Sequence, residues 1–327
     1  MICEFEHKIF SADKNGFNAI ALETFHFQYR HNEVYRQYAD TVHTDIHAIQ
    51  LVEQIPFLPI SFFKTHAVCT GTFNPEAVFE SSGTTQTTHS SHLVKKLALY
   101  QQSFNTAFGL FYGPVQDYCI LALLPSYLER KHSSLVMMAD ELIRKSGHHQ
   151  SGFYLYNFSE LAEVLQQLEK AKQKTLLIGV TFALLDFAER FPLPLKSTII
   201  METGGMKGRR EELIREEVHA ALGNAFQTNK IHSEYGMTEL LSQAYSSGEG
   251  IFNCPPWMKI LMREEDDPFA VQSNEGKGVI NIIDLANIYS CSFIATDDAG
   301  RLYKDGSFEV LGRMDNTDIR GCSLLAV

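Results

Sequence analysis

Residues Glu80 to His89 constrain the fold most, because they are mainly Ser, Thr, Gly, Gln and His, with no large apolar side chain. The hydroxyls of such a run compete with the backbone for hydrogen bonds, so the run does not suit a core strand. It follows the apolar pair Val78-Phe79 and precedes a helical pattern over Leu93 to Phe104. The order predicts a loop that joins a strand to a helix.

A loop of this composition has the chemistry to wrap a polyanion. Its backbone N–H groups and hydroxyls donate hydrogen bonds to phosphate oxygens, and the N-terminus of a following helix adds partial positive charge. The alternative is an ordinary Ser/Thr-rich surface loop. The segment alone does not separate the two interpretations, because short motifs produce many false matches.

A second polar segment, Tyr235-Gly236-Met237-Thr238-Glu239, lies about 150 residues further along the chain. The Glu239 carboxylate is a hard oxygen ligand suited to Mg²⁺ bound to phosphates. Tyr235 has a ring that can stack on a base, and Gly236 permits close approach of a ligand to the backbone. The alternative is a plain helix N-terminus, with Thr238 as its cap and Glu239 in the first turn.

Together the two segments resemble the adenylate-forming superfamily, which includes acyl-CoA synthetases, luciferases and the adenylation domains of peptide synthetases. Five motifs similar to those of this superfamily occur in its order between residues 81 and 315. They are Ser81-Ser82-Gly83-Thr84-Thr85, Met201-Glu202-Thr203-Gly204-Gly205, Tyr235-Gly236-Met237-Thr238-Glu239, Thr296-Asp297-Asp298 and Gly312-Arg313-Met314-Asp315.

The resemblance implies binding of ATP and Mg²⁺. In the superfamily the hydroxyl loop holds the β- and γ-phosphates, Thr238 would bond the α-phosphate, and Glu239 would hold Mg²⁺. The remaining motifs imply contacts with the adenosine part, and Asp298 matches the aspartate that holds the ribose hydroxyls. The nucleotide-binding residues implied in this way are Ser81, Ser82, Gly83, Thr84, Thr85, Gly204, Gly205, Tyr235, Gly236, Asp297, Asp298 and Arg313.

A narrower resemblance is to the acyl-protein synthetase subunit of bacterial fatty-acid reductase, the LuxE type. It rests on Ile55 to Lys64, Glu202 to Gly208 and Asp318 to Leu324. Such a subunit converts a fatty acid to acyl-AMP, carries the acyl group on a cysteine near its C-terminus and delivers it to a partner acyl reductase. Cys322 occupies the matching position. The alternative for Cys322 is a small buried apolar residue, because free cysteines are often buried.

Two departures from the superfamily pattern lead to further expectations. Gln86 replaces a glycine of the phosphate loop, and His89 lies near the place of its lysine. Lys207 is therefore the candidate catalytic cation, with a surface lysine as the alternative. Because the chain ends at Val327, the mobile C-terminal domain of the superfamily is expected to be absent.

Composition excludes several classes of function. The chain has 327 residues, is 45% hydrophobic and has a formal net charge of −11, which disfavours nucleic-acid binding through a basic surface. The six cysteines form no C-x-x-C pair, so neither a zinc site nor a disulfide framework is indicated. The N-terminus does not resemble a signal peptide, and the longest apolar run is too short to span a membrane. We expect a cytoplasmic protein with reduced thiols.

The sequence predicts an α/β fold with parallel sheets flanked by helices. Short apolar strands such as Thr175 to Val180 alternate with helices such as Thr181 to Arg190. Further helices are predicted over Ser159 to Lys172, with Ser159 as a possible cap, and over Arg209 to Leu222. After Glu239 strands dominate. The predicted division is an α/β acyl- and nucleotide-binding domain at 1–246, with a helical N-terminal segment. A smaller β-rich subdomain follows at 247–327 and carries the Cys322 segment.

Three functions remain open at this point. The first is ATP-dependent activation of a carboxylic acid, expected to be a fatty acid, with transfer to Cys322. The second is an acyl- or aryl-CoA ligase similar to phenylacetate-CoA ligase, in which CoA accepts the acyl group directly. The third is a nucleotide-binding subunit without catalytic activity, which the loss of the usual lysines would explain.

Overall fold

The computed structural model describes residues 2–12, 16–42, 45–81, 89–124, 132–204, 213–315 and 318–320. The α-helices of these residues are α1 (Ile2–Phe10), α2 (Phe17–His31), α3 (Glu33–Val42), α4 (Phe62–Thr65), α5 (Leu97–Tyr112), α6 (Ser134–Ser146), α7 (Phe158–Ala171), α8 (Thr181–Arg190) and α9 (Arg215–Phe226). Short 3₁₀ turns add to them, among them Leu285–Asn287.

The strands are β1 (Leu58–Pro59), β2 (Ala77–Glu80), β3 (Ser91–Val94), β4 (Cys119–Leu123), β5 (Gly152–Phe153), β6 (Thr175–Val180), β7 (Thr198–Thr203), β8 (His232–Tyr235), β9 (Ala244–Ser246), β10 (Ile251–Asn253), β11 (Met258–Arg263), β12 (Val271–Gln272), β13 (Gly276–Asp284), β14 (Phe293–Leu302), β15 (Phe308–Asp315) and β16 (Asp318–Arg320).

The residues group into two compact units, each built from separate stretches of the chain. The first unit contains Met1–Phe104, Met237–Gln243 and Asn253–Val327, and the second contains Asn105–Gly236 and Ala244–Phe252. The chain passes from the second unit to the first between Gly236 and Met237, inside one of the predicted motifs. The predicted division into residues 1–246 and 247–327 stays a prediction, because the units group residues by contact and not by position along the chain.

The second unit has the predicted parallel sheet. Its strand order is β5-β4-β6-β7-β8, all parallel, with β9 added antiparallel to β8. Every residue of β4 and β6 is buried, which explains why these strands have continuous apolar sequences and not alternating ones. Helices α6 and α8 pack against this sheet. The predicted α/β class is confirmed.

The first unit is dominated by antiparallel strands. Strands β12, β11, β13, β14, β15 and β16 pair antiparallel in that order, and β1 pairs parallel with β14. The N-terminal helices pack on this sheet through aromatic side chains. The ring of Tyr35 on α3 stacks on that of Phe293 on β14, with centroids 6.0 Å apart, and Phe25 on α2 meets Phe293 edge-on at 6.2 Å. All three side chains are fully buried.

The hydroxyl loop begins and ends on a β-hairpin, so the predicted strand-to-helix connection is wrong. Strand β2 pairs antiparallel with β3, with Ala77 opposite Val94 and Glu80 opposite Ser91. Helix α5 begins at Leu97, four residues later than the Leu93 predicted. The segment Ser91–Val94 satisfies its backbone by pairing with β2, a long-range partner that local periodicity does not reveal.

Some helices and strands have the predicted bounds and others do not. Strand β6 and helix α8 have the predicted bounds. Helix α7 begins at Phe158 after Asn157, so Ser159 is not its cap. Helix α9 was predicted over Arg209 to Leu222. Within the described residues it begins at Arg215, and it continues past Gly223 to Phe226. In the described part of the chain, no helix is both long and apolar enough to cross a membrane.

Candidate active site

Thr238 and Glu239 occupy the two central positions of a tight turn in the first unit. The backbone N–H of Leu240 donates to the carbonyl of Met237 over 3.1 Å, which closes the turn. No helix follows in the described segment, so the alternative that Thr238 caps a helix is wrong. The two side chains therefore have a role other than that of a helix N-terminus.

The Glu239 carboxyl is only 5% exposed. Burial raises the pKa of this carboxyl. A hydrogen bond with Ser90 and the positive charges of Arg313 and Lys64 oppose that effect. A buried carboxylate with two cations in its vicinity can serve as a single anionic ligand.

The donor set around Glu239 fits Mg²⁺ that arrives on phosphates. Within the described residues, no group of three or more His, Cys, Asp or Glu side chains could hold a metal ion by itself. Mg²⁺ commonly takes only one or two carboxylates from the protein and completes its coordination with substrate phosphates and water. One buried carboxylate is therefore compatible with that kind of site.

The hydroxyl-loop hairpin is hydrogen-bonded to the Thr238–Glu239 turn. The ring Nδ1 of His92 lies 2.8 Å from the carbonyl oxygen of Thr238, and the nearby Ser90 favours the charged form of Glu239. The family resemblance implies that both motifs bind the phosphates of one nucleotide. The structure brings the base of the loop to Glu239 through residues on the same hairpin.

The two ends of the loop are closed onto each other. The Ser81 N–H donates to the Ser90 carbonyl over 3.1 Å, and the Ser90 N–H donates to the Ser81 hydroxyl over 2.9 Å. The ring Nδ1 of His89 lies 2.8 Å from the Ser81 carbonyl. Ser81 is half-buried, and a hydroxyl that accepts one hydrogen bond can still donate its own O–H.

The predicted ribose motif lies at an irregularity between β13 and β14. The pairing runs from Asn281 opposite Ala295 to Val279 opposite Ala299, so Thr296 to Asp298 face a single residue. The hydroxyl of buried Thr296 donates to the Ile280 carbonyl over 2.8 Å and accepts the N–H of Asp298 over 3.1 Å. Asp297 and Asp298 are half-buried on the resulting bulge.

Arg263, which the sequence analysis did not single out, supports this bulge. Its guanidinium donates to the Thr296 carbonyl over 2.5 Å, to the Asn281 side-chain oxygen over 2.7 Å and to the Ile280 carbonyl over 3.2 Å. Burial lowers the pKa of Arg263, while Asp297, Tyr38 and Asp298 favour its charged form. The planar, multiply donating guanidinium suits three acceptors at once, which a lysine could not satisfy.

In the second unit, the predicted adenine-motif residues lie at the carboxyl ends of parallel strands. Gly204 directly follows β7, and Tyr235 ends β8. Gly204 has φ +65°, a left-handed conformation that favours glycine. Its carbonyl accepts the Thr181 hydroxyl over 2.6 Å. Ligands of open α/β sheets commonly bind at such strand ends.

The ring of half-buried Tyr235 contacts Phe252 with centroids 5.9 Å apart. The Arg215 guanidinium lies over the other ring of this pair, 5.4 Å from the Phe252 centroid. Tyr235 is thus held by an aromatic neighbour that is itself covered by a cation. This arrangement gives the Tyr235 ring a defined position for stacking.

Two carboxyls of the second unit, buried Glu234 and half-buried Glu202, have shifted pKa values, and neither was assigned a role of its own from the sequence. Glu234 on β8 accepts a short hydrogen bond from Thr203, its register partner on β7. Burial raises the pKa of Glu234 to about 7, helped by the nearby Glu202. Glu202 has the opposite shift. Although its burial favours protonation, the nearby His219 and Ser233 side chains and the positive charge of Arg215 outweigh burial and lower its pKa. The His219 Nε2 lies 3.8 Å from the Glu202 Oε1. At neutral pH Glu234 is therefore partly protonated, and the pair carries less negative charge than two free carboxylates would.

Several predicted site residues lie outside the described residues. They are Ser82, Gly83, Thr84, Thr85, Gly205, Lys207 and Cys322. Of the predicted residues that are described, Ser81, Thr238, Glu239, Asp297, Asp298 and Arg313 belong to the first unit, and Gly204, Tyr235 and Gly236 belong to the second.

Asp284 was not predicted as a functional residue, although its position in the sequence could have indicated one. It ends the buried stretch Val279 to Ile283, which is apolar except for Asn281, and is itself 0% exposed. A carboxylate placed at the end of an apolar strand needs partners, because an unpaired buried charge is costly. His92 and Arg263 have no comparable signal, since each appears in the sequence as an isolated polar residue of a short strand.

The fold is that of adenylate-forming enzymes. An open-conformation structure of 2-hydroxyisobutyryl-CoA ligase, in complex with 2-HIB-AMP and CoA, matches with a TM-score of 0.60 and 11% sequence identity, covering 92% of this chain and 75% of that one. ATP-bound MatB from Rhodopseudomonas palustris matches with a TM-score of 0.54 and 15% identity. That match covers 72% of this chain and 48% of MatB, so this chain spans about half the length of MatB.

The chain belongs to the LuxE family of acyl-protein synthetases. The family described as "Acyl-protein synthetase, LuxE" matches residues 8–326, nearly the whole chain. A comparison with curated proteins found no match. The family resemblance read from the sequence motifs is confirmed.

Proposed function

We propose that this protein activates a carboxylic acid, expected to be a fatty acid, with ATP and Mg²⁺, and then transfers the acyl group to Cys322. The resulting thioester is delivered to a partner acyl reductase. The observation that carries the first step is in the first unit. There the hairpin that bears the hydroxyl loop is hydrogen-bonded, through His92, to the turn that bears Thr238 and Glu239, and Ser90 lies near the Glu239 carboxyl.

In the first step, an oxygen of the acid attacks the α-phosphorus of ATP. The new bond joins the acyl oxygen to phosphorus, and the bond from the α-phosphorus to the pyrophosphate oxygen breaks. Catalysis of this kind depends on positioning and on neutralising phosphate charge. Mg²⁺ held by Glu239 would supply charge neutralisation, and Thr238 would bond the α-phosphate. Lys207 is the proposed additional cation.

The remaining nucleotide contacts follow from the motifs. The hydroxyl loop from Ser81 to Thr85 would hold the β- and γ-phosphates. Asp298, with Asp297 and Arg313 beside it, would bind the ribose hydroxyls. Gly204 to Gly205 and Tyr235 to Gly236 would contact the adenine, with the Tyr235 ring as the stacking partner. The half-buried positions of Tyr235, Asp297 and Asp298 leave part of each side chain exposed to a ligand.

In the second step, the Cys322 thiolate attacks the acyl carbonyl carbon. A carbon–sulfur bond forms, the carbon–oxygen bond to AMP breaks, and AMP leaves with the electron pair. Arg320, two residues earlier in the sequence, would favour the thiolate electrostatically.

The cysteines whose side chains are described support Cys322 as the acceptor. Burial raises the pKa of Cys119 to about 11 and that of Cys291 to about 12. Burial also raises the pKa of Cys254 and of half-buried Cys69. Such thiols are mostly protonated at neutral pH and make poor nucleophiles.

The test is incubation of the protein with ATP, Mg²⁺ and a panel of labelled fatty acids. We expect acid-dependent pyrophosphate release and protein-bound label that hydroxylamine removes, as a thioester requires. Release of pyrophosphate without protein-bound label would overturn the transfer to Cys322. If no acid in the panel produces pyrophosphate, with or without an added acyl reductase, the activation step is overturned in favour of a non-catalytic nucleotide-binding subunit.

A CoA ligase is the second candidate, and the fold match to 2-hydroxyisobutyryl-CoA ligase favours it. In that case CoA would take the acyl group from acyl-AMP directly. Adding CoA to the same reaction distinguishes the two, because a CoA ligase would form acyl-CoA at an undiminished rate in the Cys322→Ser variant.

A further inference from the structure

We propose that Asp284, Asn287 and His92 are positioning residues that fix the backbone of the Thr238–Glu239 turn. This inference rests on the proposed function, since it concerns the placement of the side chains assigned to the α-phosphate and to Mg²⁺. The observation behind it is a set of hydrogen bonds from buried side chains to four backbone groups of one short turn.

The largest contribution comes from Asp284. One oxygen of its carboxylate accepts the N–H groups of Leu241 and Ser242, over 2.8 and 3.0 Å. The other oxygen accepts the Ser242 hydroxyl over 2.6 Å and the Ala286 N–H over 3.1 Å. Four donors from two segments therefore converge on one carboxylate that is 0% exposed.

Asn287 and His92 hold the carbonyl groups of the two residues at the centre of the turn. The Asn287 amide donates to the Glu239 carbonyl over 2.7 Å. The His92 ring donates to the Thr238 carbonyl over 2.8 Å, and because a carbonyl only accepts, its Nδ1 carries the proton. Asn287 and His92 are no more than 1% exposed.

The three side chains come from separate elements. His92 belongs to β3, Asp284 ends β13, and Asn287 belongs to the 3₁₀ turn that follows it. The fold therefore buries three polar side chains, one of them a carboxylate, to hold one turn. Burying polar groups is unfavourable unless they are paired, and here four of the bonds are made to backbone groups of residues 238, 239, 241 and 242. Preorganisation of this kind keeps catalytic side chains in place without reorganisation during the reaction.

The conservative pair His92→Asn and His92→Leu provides the main test. Asn keeps an N–H donor at about the position of Nδ1, whereas Leu of similar size has none. We expect the Asn variant to retain most of the rate of acid-dependent pyrophosphate release. We expect the Leu variant to lose about tenfold or more in kcat and to need more Mg²⁺ for half-maximal rate, because small misplacements cost large factors in rate.

Asp284→Asn is the second variant, and Tyr35→Phe is its matched control. Tyr35 is also 0% exposed and also donates to a backbone carbonyl, that of Pro56 over 2.7 Å, but far along the chain from the turn. Both variants lose buried bonds, so thermal unfolding is measured for each and activity is assayed well below both midpoints. Only Asp284→Asn should change kcat and the Mg²⁺ dependence.

The outcomes distinguish failure of the positioning role from failure of the proposed function. If the wild-type protein releases pyrophosphate, but Asp284→Asn and His92→Leu behave like Tyr35→Phe, the positioning role is overturned and the proposed function stands. If the wild-type protein neither releases pyrophosphate nor binds Mg²⁺-ATP in calorimetry, both are overturned.

Discussion

Asp298 and Arg313 lie directly opposite each other on the antiparallel strands β14 and β15. The neighbouring Asp297 carboxylate is 3.9 Å from the Arg313 guanidinium, and both side chains of that ion pair are about half exposed or more. An exposed pair at this distance contributes little to stability. The opposed positions are more informative for ligand binding, because they place carboxylates and a cation together at a bulge in the sheet.

Replacing Asp298 with Asn should therefore weaken ATP binding with little effect on folding. Loss of a charged acceptor for the ribose hydroxyls should raise the KM for ATP roughly 10- to 100-fold, the range expected for hydrogen bonds to a charged group. Glu309→Gln is a suitable control, because Glu309 faces Arg301 on the same two strands. An unchanged KM in Asp298→Asn would remove this residue from the nucleotide site.

Glu239→Gln should nearly abolish acid activation and leave the fold intact. The change keeps the shape of the side chain and removes the charge that would bind Mg²⁺, and a hard cation prefers carboxylate oxygen to a neutral amide. The expected rise in barrier is several kcal/mol, on the order of a lost Lewis acid. Pyrophosphate release is measured against Mg²⁺ concentration, with circular dichroism as the folding control.

Cys322→Ser should separate the two steps of the proposed reaction. Pyrophosphate release in the presence of hydroxylamine, which traps acyl-AMP, should continue at close to the wild-type rate. Covalent label from a radioactive fatty acid should disappear, because no thioester can form. Cys69→Ser is the control, since this half-buried thiol has its pKa raised by burial and should not carry the acyl group. Full labelling of Cys322→Ser would show that another group is the acceptor.

Glu234→Gln should alter how stability depends on pH. The pKa of Glu234 is raised from 4.5 to about 7, so the folded state binds a proton that the unfolded state releases at lower pH. Stability from this group is present below pH 4.5 and is lost as the pH rises to about 7, with a slope of at most about 1.4 kcal/mol per pH unit. The Gln variant keeps an acceptor for Thr203 and has no charge to bury.

The measurement for Glu234→Gln is urea unfolding of both proteins between pH 5 and 8. The difference between the variant and the wild-type protein isolates this carboxyl from others that titrate in the same range, such as Asp284 with a pKa of about 6. We expect the variant to gain in relative stability as the pH rises. A difference that does not change with pH would show that Glu234 is ionised in the folded protein.

Local patterns were sufficient for the parallel part of the fold and not for the site. The strand Thr175–Val180 and the helix Thr181–Arg190 were predicted with their bounds, because one is a continuous apolar run and the other a clear helical period. The hairpin of β2 and β3 was missed because its second strand has only four residues and is stabilised by pairing. The Thr238–Glu239 turn was open to a helical interpretation because the side chains that hold it come from distant parts of the sequence, over 40 residues away for Asp284.

The closed base of the hydroxyl loop should allow the sequence between Ser81 and Ser90 to vary within this family. Because Ser81 and Ser90 are bonded to each other in both directions, the two ends of the loop are already joined before any residue between them is considered. The entropy of closing a loop grows only slowly with its length, so insertions or exchanges between these two serines should cost little stability. Phosphate-binding segments of different sequence could therefore replace one another between the two strands of the hairpin. Ser90 and His92 would keep their interactions with the turn.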